Sequence, residues 1–241
     1  MLLRIYGVGV ENLIDREAEL QILRRLRRKN VGPRLLGCFS NGRFEEFLDA
    51  KPLTAKEMRD PTTSVHIAKR VRELHEGMDL LPIEREEGSF AWCSVNKWQK
   101  QCGPIVQWLD KQAKEDEASC SDRPLYVCGT DWEMFSGIVD KYRTWLLEQY
   151  GGTDNLKELL VFAHNDVSCC LDFLLQFRLT RQTQYGNILR MTPSGDSPLL
   201  TPANQHKRLL VIDFEYANAN MQGYEFANHF VCSISLNPKL L

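Results

Sequence analysis

At 241 residues, 43% hydrophobic and 26% charged, the chain has ordinary globular composition and enough length for one large domain or two small lobes. A formal charge of −2 gives no electrostatic reason to expect nucleic acid or an anionic membrane as partner. No apolar run approaches the roughly 18 residues that span a bilayer.

Residues 2–6 alternate as a strand does, with no signal-peptide pattern and no partner strand upstream. Asp15 to Lys29 reads as a helix with an apolar stripe at Ala18, Ile22 and Leu26, beside Leu23. Its basic run, Arg24-Arg25 and Arg27-Arg28-Lys29, lies largely off that stripe as a solvated face. Gly32-Pro33 breaks the chain, and residues 35–40 and 43–48 form two strands joined at Asn41-Gly42, a hairpin signal. Thr62 to Glu76 is helical, with Val65, Ala68, Val71 and Leu74-His75 marking its buried side. From 90 to 150 the chain is helical with polar joints. Trp98, Ile105, Trp108 and Leu109 form one apolar stretch, and Trp132, Phe135, Ile138, Val139, Tyr142 and Trp145-Leu146 another; both read as helical core. Short buried strands follow at 159–162 and 209–212, separated by a polar, turn-rich loop at 192–206. The eight cysteines show neither CxxC pairs nor metal-ligand spacing with histidine, which reads as reduced thiols in a cytoplasmic protein.

Three motifs follow or precede the buried strands: His164-Asn165-Asp166, Gln184-Tyr185-Gly186-Asn187-Ile188-Leu189 and Ile212-Asp213-Phe214-Glu215. Alone, each is a weak signal, since polar residues after a strand are often only a helix cap. Together they supply what phosphoryl transfer needs: an Asp to deprotonate or orient a hydroxyl, and an Asn and a second Asp to hold Mg²⁺ against the phosphates of ATP.

With these motifs the chain resembles the choline/ethanolamine kinase family, and its choline kinase branch more closely. The resemblance includes Leu-Leu-Arg-Ile-Tyr-Gly at 2–7, Gly-Pro-Arg-Leu-Leu-Gly at 32–37 and Asn-Gly-Arg-Phe-Glu-Glu-Phe-Leu at 41–48. It continues at 67–75, 212–217 and 223–230. The Asn of His164-Asn165-Asp166 and the Glu215-Tyr216 pair set it apart from aminoglycoside-type kinases. The resemblance implies an α+β, two-lobed protein-kinase-like fold. Residues 1–48 would be a partial small lobe, and 49–241 a large, mainly helical lobe carrying the catalytic loop 164–187 and the metal-binding segment 212–216. It implies ATP and Mg²⁺ as cofactors, choline or ethanolamine as the small-molecule substrate, and a homodimer. Asp166 would act on the substrate hydroxyl, Asn187 and Asp213 would bind Mg²⁺, and Gln184 would lie near the nucleotide. Arg4 would meet the phosphates with Glu19 as its ion-pair partner, Glu46 and Phe47 would lie beside the adenine, and Tyr216 would border the choline pocket. A quaternary ammonium has no N–H donor, so aromatic faces and a carboxylate must hold it.

One departure stands out. Twenty residues separate Asp166 from Asn187, where the family has four. Removing 167–182 restores an unbroken motif, with Asn187 five positions after Asp166. Val167-Ser168 can be encoded by GTA-AGT and Gln182 by CAG, the signals of a splice donor and acceptor, so the segment reads as a retained intron. Cys169-Cys170 is then incidental. Residues 231–241 read likewise as continuation into a second intron, and the family's C-terminal helices and phosphate-covering loop are not found in the sequence. The expectation is a chain with little or no activity: the spacer breaks the short tether between Asp166 and Asn187, and displacements of about 1 Å can lower catalysis on the order of 100-fold. A catalytically dead kinase-fold binding module is the other reading.

Overall fold

Charged and apolar residues alternate unevenly along the first strands, and the fold buries Arg43 and Glu45 of the third while leaving Leu2, Leu3 and Ile5 of the first exposed. The structure is a computed structural model, and it describes residues 1–7, 14–29, 31–116, 126–166, 186–193 and 195–234. The chain forms two compact units, Met1–Leu81 with Val161–Leu241, and Pro82–Leu160.

In the first unit, β1 (Leu2–Ile5), β2 (Leu35–Phe39) and β3 (Gly42–Glu45) form an antiparallel sheet in the order β1-β3-β2. The hairpin turn is Ser40–Asn41, one residue earlier than expected, because Phe39 pairs with Gly42. Gly42 opens β3 because no side chain fits there: a Cβ would lie 2.4 Å from the Arg4 carbonyl oxygen. Between β1 and β2 runs α1 (Arg16–Arg28), started by the Asp15 carboxylate, which accepts from the Ala18 amide at 3.0 Å. Its buried face is Glu19, Ile22, Leu23 and Leu26; Ala18, expected on the stripe, is exposed and Glu19 takes the inward place.

A second sheet, β4 (Ala50–Pro52), β6 (Ile188–Met191) and β7 (Leu209–Val211), runs in the order β4-β6-β7. The break between the two sheets thus falls at 46–49. The short α2 (Ala55–Met58) leads to α3 (Pro61–Gly77), which is capped by Asp60 with Pro61 in its first turn. Its inward residues are Thr63, Ile67, Val71 and Leu74, whereas Val65 and Ala68, expected inside, face out. Leu53, Met58, Ile67, Val71, Ile188 and Leu209 seat this sheet on α3. A larger cluster joins Ile22, Leu23 and Leu26 of α1 to Leu74, Phe162, Val211 and Phe214. β5 (Leu160–Ala163) pairs with β8 (Asn218–Met221), and α8 (Gln222–Ile234) follows. The loop expected at 192–206 contains two 3-10 helices, Pro198–Leu200 and Pro202–Arg208.

The second unit is helical: α4 (Pro82–Glu87), α5 (Phe90–Asp116, with Pro104 inside), α6 (Trp132–Gln149) and α7 (Thr153–Glu158). Its aromatics do not form the closed core expected of them. Trp108 and Trp145 are 59% and 51% exposed, and α6 has no buried residue. Among the described residues, no helix is long and apolar enough to cross a membrane.

Candidate active site

The strand β5 delivers His164, Asn165 and Asp166 to a turn, and that turn is fastened from several directions. Asn165 sits at φ 66°, left-handed backbone that costs a non-glycine residue about 1–3 kcal/mol. Its neighbours offset that cost. Its amide donates to Glu225 Oε1 at 2.9 Å, and its Nδ2 donates to the Tyr216 carbonyl at 2.9 Å. Its Oδ1 accepts from Asn220 Nδ2 at 2.7 Å, and its carbonyl accepts from Asn228 at 3.2 Å. The middle residue of the motif is thus structural.

Glu225 of α8 organises the same turn. Its Oε1 accepts the amides of both His164 (2.6 Å) and Asn165, while Oε2 is bonded to His75 Nε2 from α3. His164 is fully buried, and burial holds its pKa below the ordinary value against the pull of Glu225 and Asp213. The neutral ring fits its bonds: Nε2–H donates to the Ile212 carbonyl at 2.8 Å, and Nδ1 accepts the Asp166 amide at 3.2 Å. The ring also meets Phe214 edge-on. His164 therefore ties the Asp166 turn to the segment that carries Asp213.

Despite the 20 intervening residues, Asp166 and Asn187 are in direct contact. Asn187 Nδ2 donates to the Asp166 carbonyl at 2.9 Å and to its Oδ2 at 3.1 Å. This leaves the Asn187 Oδ1 as the oxygen that could face a cation. The expected loss of that spacing is not found. Asn187 is anchored in turn by its carbonyl, which accepts the Ile212 amide at 2.9 Å.

Asp213 shares the left-handed conformation, φ 66°. Behind it, Phe214 is fully buried against Gly32, where a Cβ would come within 2.8 Å of the ring; Gly32, at φ +69°, is glycine on both counts. One carboxylate oxygen each from Glu19, Asp213 and Glu215 lie within 4.8 Å of one another. This is a hard-oxygen set of the kind Mg²⁺ accepts. Burial, then the charges of Asp213 and Glu19, push the Glu215 carboxyl above its usual range, while Arg16 opposes them.

The residues expected at the nucleotide divide as follows. Arg4 Nε donates to Glu45 at 3.0 Å and its Nη1 to Asp213 at 3.4 Å. The expected Arg4–Glu19 pair is replaced, because Glu19 is taken by Arg16 of the same helix (2.7 Å) and by Arg43 of β3 (2.8 Å). Glu46 is gripped by Arg34 through two bonds of 2.9 Å, and Arg34 holds its pKa below the usual carboxylate range. Phe47 is 67% exposed. Tyr216 is half-buried, and burial, then Glu215, Asp166 and Asp213, raise its phenol pKa, so it lies among the acids. Tyr224 is raised by burial and then by Asp166, a second phenol beside that carboxylate. Gln184 and the spacer 167–182, with Cys169-Cys170, lie outside the described residues, as do 235–241.

Sequence reasoning gave no role to Glu225, His75, Glu215, Arg43 or Glu45. All five sit inside quoted motifs, and Glu215 stands two residues after Asp213, so spacing alone held a signal for it.

A family model described as Choline/ethanolamine kinase matches residues 1–237. The choline kinase of Saccharomyces cerevisiae is 37% identical across 95% of this chain and 41% of its own length. That of Schizosaccharomyces pombe is 34% identical across 95% and 44%. The chain therefore spans less than half the length of these curated relatives. Among solved structures, an ethanolamine kinase of Plasmodium vivax superposes with a TM-score of 0.62 at 23% identity, covering 98% of this chain and 57% of the other, which shows the shared fold. With its mixed sheets and helices and its His-Asn-Asp and Asp-Phe-Glu turns joined through one imidazole, the chain belongs to the choline/ethanolamine kinase family.

Proposed function

We propose that this chain carries the phosphoryl-transfer centre of an ATP-dependent choline kinase, forming phosphocholine for phosphatidylcholine synthesis. The observation that supports it most is the bonding of Asn187 to Asp166 across the long spacer, with Asp213 on the neighbouring turn. Asp166 accepts the choline hydroxyl proton, the freed oxygen bonds to the γ-phosphorus, and ADP leaves. Asn187 Oδ1 and Asp213 hold Mg²⁺, which when bound neutralises charge on the phosphates. Arg4 meets those phosphates, with Glu19 behind it in the small lobe. Because the Glu46 carboxylate is occupied by Arg34, the adenine is met at 46–47 through the backbone and the Phe47 ring, with Gln184 nearby. Tyr216 offers its ring to the quaternary ammonium. The lobes divide near residue 48, where one sheet gives way to the other. Free thiols at Cys38, Cys93, Cys102 and Cys128 suit a reducing cytoplasmic setting, with assembly as a homodimer.

Labelled phosphate transfer from ATP to choline and to ethanolamine, by the 241-residue chain and by the chain lacking 167–182, tests this. We expect choline to be preferred and, because Asp166 and Asn187 already meet across the spacer, the deletion to change the rate by less than about tenfold. Preference for ethanolamine would move the substrate assignment. Binding of ATP without turnover in either form would favour a binding module instead.

A further inference from the structure

We propose that Glu45 is a positioning residue for the nucleotide phosphates, its buried carboxylate aiming the Arg4 guanidinium at Asp213; this rests on the phosphate role given to Arg4 above. The strand register creates the need. Arg4 of β1 stands directly opposite Arg43 of β3, and like charges so placed repel. Glu45, two residues along β3 on the face that Arg43 occupies, lies diagonal to Arg4 and answers both. Its Oε1 accepts from Arg43 Nε at 2.6 Å, and its Oε2 accepts from Arg4 Nε at 3.0 Å.

The two arginines are not equivalent. Arg43 is 2% exposed and also pairs with Glu19 at 2.8 Å, so it is fixed within the protein. Burial alone would lower its pKa, yet Glu19, Tyr6 and Glu45 together hold it above the ordinary value. Arg4 has a side chain 30% exposed and, among the described residues, gives Nε to Glu45 and Nη1 to Asp213. A guanidinium is planar with five donors in a rigid fork. Fixing its Nε therefore sets the direction of the other nitrogens, and that direction includes Asp213. Glu45 thus transmits the rigidity of the buried Arg43 to the half-exposed Arg4.

The test is a double-mutant cycle on MgATP binding by the full chain, measured calorimetrically: unsubstituted, Arg4→Met, Glu45→Gln, and both. Arg4→Met is expected to weaken binding about tenfold and Glu45→Gln about fivefold. The double variant is expected to match Arg4→Met within about twofold, because coupled residues are non-additive. A merely structural role would lower Tm in both backgrounds and multiply the two losses of affinity, and that result overturns the proposal alone. Arg4→Met with unchanged affinity, or no MgATP binding by the unsubstituted chain, overturns the phosphate role of Arg4 and this proposal with it. Should Glu45→Gln not fold, Glu45→Asp replaces it. Aspartate keeps the charge but is too short to reach both arginines, and the same non-additivity with Arg4→Met is required.

Discussion

Two places in the first unit bury carboxylates equally deeply and satisfy them by different means. Glu225 accepts the amides of His164 and Asn165, bonds His75, and so is fastened partly by main chain. Glu19 and Glu45 are answered by the guanidinium groups of Arg16, Arg43 and Arg4. Backbone amides cannot swing away, so the Glu225 site holds one geometry and places Asp166 within reach of Asn187. Arginine side chains can exchange partners, and the most exposed of the three arginines in this cluster, Arg4, is the one next to Asp213. A rigid hub at the Asp166 turn and an adjustable charge network beside Asp213 is, on the proposed function, a division of labour that positioning catalysis favours.

Substitutions can break that contrast. Arg43→Ala would take one of two cationic partners from each of the buried carboxylates of Glu19 and Glu45, leaving Arg16 and Arg4, and is expected to destabilise the fold by about 3–5 kcal/mol in urea denaturation. A loss below about 1 kcal/mol would mean that the network is not held by its central cation. Glu225→Ala removes the acceptor of two buried amides and should cost about 2–3 kcal/mol. If amide exchange at His164 and Asn165 did not quicken in that variant, the hub would owe its rigidity to something else.

The pH response sharpens the same distinction. The folded pKa of His164 lies below its unfolded value of about 6.5. Below that pH the unfolded chain binds the proton more readily, so stability is complete above it and falls as pH drops toward the folded value. Denaturation at pH 7.5 and pH 5 should show a smaller acid loss in His164→Asn than in the unsubstituted chain, and equal losses would contradict a neutral ring at the hub. The smallest effect belongs to Arg34→Ala. Its guanidinium lies at the surface, and no measurable change in Tm is expected, whereas the Glu46 carboxyl should titrate higher by NMR once its partner is gone.

Much of this was legible in the sequence, and the failures have physical causes. The helices α1 and α3 were readable because apolar residues recur on one face. In α3 two phases compete, Val65-Ala68 and Thr63-Ile67, and periodicity cannot choose between them; packing against Leu53 and Leu209 chose the second. The α5 and α6 aromatics are apolar enough for a core, but composition does not say what would cover them. In the proposed site, Asp166, Asn187 and Asp213 stood out in the sequence because their motifs suit the chemistry of phosphoryl transfer. Glu225 was not, because its partners His164 and His75 lie 61 and 150 residues away. Arg43 and Glu45 alternate with apolar residues on β3, and a strand of that kind does not reveal that its charged face is the buried one.

The convergence of Asp166, Asn187 and Asp213 on one metal–nucleotide is tested most directly by Mn²⁺ electron paramagnetic resonance in the presence of ATP, with Mn²⁺ standing in for Mg²⁺. The free-ion signal should fall on adding the 241-residue chain and should largely persist with Asp213→Asn or Asn187→Ala. Equal loss of the signal with both variants would place the cation elsewhere and contradict the assignment.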